Sequence, residues 1–227
     1  MRQVFKSLDQ GSEFPDRVAA SFPGVYLTLI SVIQGGALVL LLANTLGYVK
    51  DANLSAHWGQ FLPYSLMSLA IVVLVTYEYT WFVAVYRWSP GILDVTIPFT
   101  LGILEGIPLF YFTEPRIWWL LQIVFCIGGV AAFSHTLANT RKRKGAIFGT
   151  NEPAYVRTEA SLRRNIVISF VAAAICVMAV LISLIGILDG WPLTIALGIP
   201  YFLCAVGMVW SDEKFVKALH HDFGFDR

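Results

Sequence analysis

Six apolar runs, each close to the ~20 residues an α-helix needs to cross ~30 Å of hydrocarbon, occupy most of the chain. They cover residues 25–48, 61–86, 92–112, 117–137, 166–188 and 193–210. A chain with this pattern has few options. Unpaired backbone groups in lipid cost several kcal/mol each, so an open chain crosses a bilayer only as helix. Composition agrees. The 227 residues are 57% apolar and 14% charged, against ~45–50% and ~25% in soluble domains. The expected fold is therefore all-α, a polytopic membrane protein of six transmembrane helices. The spans leave no length for a separate soluble domain.

The division is a polar, amphipathic N-terminal segment (1–24), a membrane domain (25–210) with a basic loop at 138–165, and an amphipathic tail helix (211–227). The first segment lacks a cleavable apolar stretch, so the first span is expected to act as an uncleaved anchor. Short connections at 87–91, 113–116 and 189–192 carry Pro or Gly and join consecutive spans as antiparallel hairpins.

Basic residues orient the chain. Six spans put Arg2, Lys6, Arg17, Arg87, Arg141, Lys142, Arg143, Lys144, Arg157, Arg163, Arg164, Lys214, Lys217 and Arg227 on one side, and only Lys50 and Arg116 on the other. By the positive-inside rule the richer side is cytoplasmic, with both termini there, in a plasma or inner membrane. Trp58, Tyr64, Tyr86, Trp88, Trp118, Trp119, Trp191 and Trp210 fall near span ends, where aromatic rings anchor at headgroups; Trp81 lies deeper.

Short words recur. Gly91-Ile92-Leu93-Asp94 is matched by Gly186-Ile187-Leu188-Asp189, and Leu101-Gly102-Ile103 by Leu197-Gly198-Ile199. Read as a repeat, they give two three-helix halves of opposite topology, a frequent basis of alternating access. Coincidence is the competing explanation, since sequences drawn from few residue types repeat easily.

Charges inside spans carry the functional argument. Glu78, Asp94 and Glu105 lie in the second and third runs. A charge at the bilayer centre costs at least ~2.5–3.5 kcal/mol, so each needs a partner, water or a proton. Asp94, Pro98, Leu101, Glu105, Pro108 and Phe112 share one helical stripe. Pro98, Pro108 and Pro200 each remove a backbone hydrogen bond, while Gly102, Gly106 and Gly198 permit close approach. These residues are candidates for lining a pathway. Packing is the alternative, with Gln34, Tyr77, Tyr79, Gln122 or His135 donating to the acids. His135 is also a proton-relay candidate.

Arg141, Lys142, Arg143 and Lys144 fit anionic lipid headgroups or simple topology determination. The tail is expected to start at Ser211 as a cap, with Asp212 and Glu213 in its first turn. Phe215, Leu219 and Phe223 then form one apolar face, for the membrane surface or a protein partner. His220, His221 and Asp222 are adjacent and point apart, a poor metal set. Cys126, Cys176 and Cys204 read as buried free thiols. No metal, cofactor or nucleic-acid partner is expected.

Three functions remain. The first is a small transporter or channel for an ion, proton or small polar solute, using Glu78, Asp94 and Glu105. The second is a non-catalytic membrane subunit or effector that forms a homo-oligomer or docks a cytoplasmic protein. The third, an intramembrane enzyme built on Glu78, Asp94 and His135, ranks last because no catalytic motif accompanies them.

Overall fold

In a computed structural model of the chain, residues 13–51, 58–85, 92–188 and 190–223 are described. The helices are α1 (Glu13–Lys50), α2 (Trp58–Val85), α3 (Ile92–Gly106), α4 (Pro115–Lys142), α5 (Lys144–Phe148), α6 (Glu152–Ile185) and α7 (Gly190–Phe223). The protein is an integral, multi-pass helical membrane protein. Its helices α1, α2, α4, α6 and α7 are each long and apolar enough to cross a bilayer. Their outer faces expose large apolar side chains such as Val32, Leu42, Val73, Val167 and Ile185, which only a lipid surround solvates without penalty.

The third expected span is the short one. α3 gives way to a 3₁₀ turn at Ile107–Phe110. Pro108 lacks the N–H that would continue the α-helical ladder, and the tighter turn follows.

Packing closes a ring. α1 lies on α2, α2 on α7, α7 on α6, α6 on α4, α4 on α3, and α3 on α1. At one end, Tyr48 meets Phe61 and Phe112, and Arg116 donates to the Ser183 carbonyl at 3.0 Å. At the other end, Arg141 pairs with Glu159 and Arg164 with Asp212. This second end is the basic end.

The recurring words do not correspond to recurring neighbours. α3 packs along α1 and α4, whereas α7 packs along α6 and α2. The Gly-Gly pairs of the first and fourth spans, which also recur in sequence, differ too: Gly35 and Gly36 face open space, while Gly128 meets Leu101 and Gly129 meets Ser169.

Three further expectations need correction. The basic loop is largely helical. α4 runs on to Lys142, α5 occupies 144–148, Gly149 turns the chain with φ 56°, and Asn151 caps α6 by accepting from the Ala154 N–H at 3.1 Å. Pro153 sits in the first turn of α6, where its missing N–H costs nothing. Secondly, α7 continues through Ser211 without a break. Phe215 packs with Leu137, Phe148, Ala154 and Leu162 of the same chain. Thirdly, Trp118 and Trp119 are fully buried. Trp118 packs on Tyr64 with its indole N–H 3.4 Å from Ser68 Oγ, and Trp119 packs on Tyr201. Trp58 stands exposed at the start of α2 as expected, whereas Trp210 is exposed in the middle of α7 rather than at a helix end.

The turn at 87–91, Tyr86, the segment before Glu13 and the last four residues lie outside the described residues, as do the side chains of Trp81, Asp94, Trp191, Leu219, His220, His221, Asp222 and Phe223.

Candidate functional site

The centre of the ring holds a cavity of about 140 Å³. A water needs roughly 10–15 Å³ of such space, so several would fit. All six ring helices reach it: α1 with Tyr26, α2 with Glu78 and Tyr79, α3 with Pro98 and Leu101, α4 with Cys126 and His135, α6 with Ser169, and α7 with Tyr201 and Met208. Most of the wall is hydrocarbon or aromatic.

Among the described residues, Glu78 is the one acid on that wall. It stands near the basic end of α2. Both carboxylate oxygens are buried, and among the described residues no donor reaches either; the Asp212 carboxylate is within hydrogen-bonding reach, so a bond between the two acids needs a proton on one of them. Its strongest electrostatic neighbours are Asp212 of α7 and Arg164 of α6.

Asp212 is wholly buried and has three donors. It accepts from Ser161 Oγ at 2.7 Å, from Arg164 Nη2 at 2.6 Å and from Asn165 Nδ2 at 2.9 Å. Arg164 Nε is buried and unpartnered. Sequence reasoning missed this cluster. Ser161, Arg164 and Asn165 do carry a legible signal, because spacings of three and four place three donors on one helix face. Asp212 does not, since a cap residue and a buried acceptor look alike in sequence.

Glu105 has a different setting. It is 4% exposed, and Oε2 accepts from Gln34 Nε2 of α1 at 2.9 Å. It is not on the cavity wall. Oε1 lacks a partner. The stripe that includes it is otherwise as expected: Pro98, Leu101, Pro108 and Phe112 all face inward. Of the described side chains in that stripe, only Pro98 and Leu101 reach the cavity.

The expected pathway glycines sit at helix contacts. A Cβ on Gly102 would lie 2.2 Å from Ile33 Cγ2, one on Gly198 2.9 Å from Met67 Sδ, and one on Gly106 3.8 Å from Leu40. Pro200 is half-buried inside α7 and off the cavity wall.

Other expected donors serve other partners. Gln122 Oε1 accepts from Tyr201 O–H at 2.9 Å, and His135 Nε2 lies 2.9 Å from Asn139 Nδ2. His135 remains on the cavity wall. All three cysteines are free, and Cys126 Sγ lies 3.9 Å from the Tyr201 hydroxyl. Among the described residues, no group of three or more His, Cys, Asp or Glu side chains could hold a metal.

The run 141–144 is partly neutralised within the chain. Arg141 meets Glu159 at 2.6 Å, while Lys144 meets Glu152 at 2.6 Å and lies over the Tyr155 ring at 4.2 Å. Lys142 is exposed.

No family model matches the chain, and neither a curated protein nor a solved structure is similar to it at a significant level.

Proposed function

We propose that the protein is a small membrane carrier for an ion, proton or small polar solute, with the ring cavity as its binding site and Glu78 as its ionisable group. One observation supports this above the rest: a carboxylate with two buried oxygens, and no donor among the described residues, stands on the wall of a cavity that all six helices touch. Within a membrane such a group calls for a proton or a bound cation. A purely structural acid would be expected to have its donors in place, as Asp212 does.

In this reading the six ring helices cross the bilayer with both termini and the basic end in the cytoplasm. His135 relays protons at the cavity's cytoplasmic mouth. Asp94 belongs to the same mouth by its place in the first turn of α3. Glu105 and Gln34 fasten α3 to α1, and Gly102, Gly106, Pro108, Gly198 and Pro200 shape helix contacts beside the pathway. Lys142 and Arg143 contact anionic headgroups.

The test is flux in proteoliposomes. Glu78→Gln is expected to abolish uptake while gel filtration stays normal, and Glu105→Gln to retain most of it. Equal flux in wild type and Glu78→Gln would remove the carrier reading. The subunit reading gains no support from the tail, because Phe215 is already packed on its own chain.

A further inference from the structure

The charges around Glu78 do not balance. Arg164 and Asp212 form an ion pair at 2.6 Å and cancel. Glu78 faces that pair with no cation of its own. Ionised, it leaves the buried cluster at net −1; protonated, it leaves the cluster neutral. The protonated form also gives Glu78 an O–H to donate toward Asp212, which faces it across the α2–α7 contact. Two carboxylates that approach each other without a donor between them cannot both stay ionised at reasonable cost. Among the described residues, Arg164 is the one cation among the main electrostatic neighbours of Glu78, and Asp212 already holds it. Tyr79, Tyr77 and Tyr26 are phenols, which carry no positive charge. The side chains of Asp94 and Arg17 lie outside the described residues.

The wall narrows what can replace the proton. A hard metal cation needs a shell of about six oxygens. Apart from Glu78, the cavity offers scattered hydroxyls, and two of these are engaged: Tyr201 with Gln122, and Thr136 with the Ala132 carbonyl. Aromatic rings are plentiful. Tyr26 and Tyr79 meet edge to face at 6.1 Å on the wall of the same cavity. Rings of this kind attract a cation that brings its own apolar body.

We infer that the Glu78 site exchanges one proton for one organic monovalent cation, such as an aryl-bearing ammonium. This rests on the carrier reading and specifies its substrate class. The balance closes in both states. In the first, Glu78 holds its proton, the cavity holds no cation, and the cluster is neutral. In the second, the proton has left to water at the basic end, the carboxylate faces the incoming cation, and the sum is again zero. No covalent bond other than the O–H changes.

The test uses full-length protein in detergent. Radiolabelled benzyltrimethylammonium is titrated in weakly buffered solution, with an indicator dye reporting proton release. The expected result is saturable binding with one proton released per cation. Its uncharged carbon isostere, neopentylbenzene, fails to displace it. Glu78→Gln weakens binding at least tenfold, and Glu105→Gln leaves it intact. Binding weakens as pH falls, because protons compete for the same carboxylate. Absence of binding, binding without proton release, or equal displacement by the isostere would overturn the inference. The wild-type stoichiometry decides this even if Glu78→Gln fails to fold. Exchange in detergent without flux in proteoliposomes would remove the carrier reading and keep the exchange site. Flux without exchange would do the reverse.

Discussion

Three buried acids behave in three ways, and donors decide which. Asp212 has Ser161, Arg164 and Asn165; Glu105 has Gln34; Glu78 has none. Removing one partner of a buried ion pair strands the other charge, at ~3–5 kcal/mol. Arg164 keeps about a third of its exposure, so the lower end of that range applies. Asp212→Ala is therefore expected to lower the thermal transition in detergent by an amount equivalent to about 3 kcal/mol. Glu213→Ala removes only a partner of exposed Lys217 and leaves the transition in place. Equal melting of the two variants would show that Asp212 bears little of the α6–α7 contact. Sequence marked Glu78 and Glu105 by depth alone, because hydrophobic context reveals burial. It could not separate them, since Gln34 is 71 positions from Glu105 and only the fold brings it within 2.9 Å.

Helix spans were legible because crossing lipid requires length and apolarity, and both are local. Which face of each span turns inward was less so. A helix that is apolar all round offers no amphipathic contrast. The polar residues would have revealed it: Gln34, Ser68, Gln122 and Ser169 all point into the ring. Trp118 and Trp119 misled for the same reason, since aromatic rings suit both headgroups and a tight core. Glycines divide along this line too. Gly102 is pressed against Ile33, whereas Gly35 meets nothing within 4 Å. Gly102→Ala forces the α1–α3 contact apart and is expected to cost ~1–3 kcal/mol, the usual penalty of overpacking. Gly35→Ala gains up to ~1 kcal/mol of helix propensity and should melt no lower than wild type. Thermal unfolding of the two variants, side by side, checks the proposed register of α3 on α1. A Gly102→Ala protein as stable as wild type would mean that the two helices do not meet at Ile33.

For the whole molecule, everything turns on whether α3 crosses. Five helices are long enough without question, and five crossings would put the termini on opposite sides. α3 has 15 residues and its 3₁₀ extension has 4. At ~1.5 Å per residue for the first and ~2 Å for the second, the element spans roughly 30 Å, the thickness of the hydrocarbon. Its contacts agree with a full traverse. Pro98 shares the cavity wall with Tyr26 near the basic end of α1, Glu105 meets Gln34 midway, and Phe112 meets Tyr48 near the far end. α3 thus runs parallel to α1 along most of its membrane length. A crossing by α3 makes six spans, and even parity returns the C-terminus to the side where the chain began. Charge then follows geometry: Arg141 to Lys144, Arg157, Arg163, Arg164, Lys214 and Lys217 gather at one end, and Lys50 and Arg116 at the other. The expected outcome is that epitope tags at the two termini are digested together in inverted vesicles and protected together in right-side-out cells. One tag cut and the other protected would leave α3 as a re-entrant element, and the ring cavity would then open to one side only.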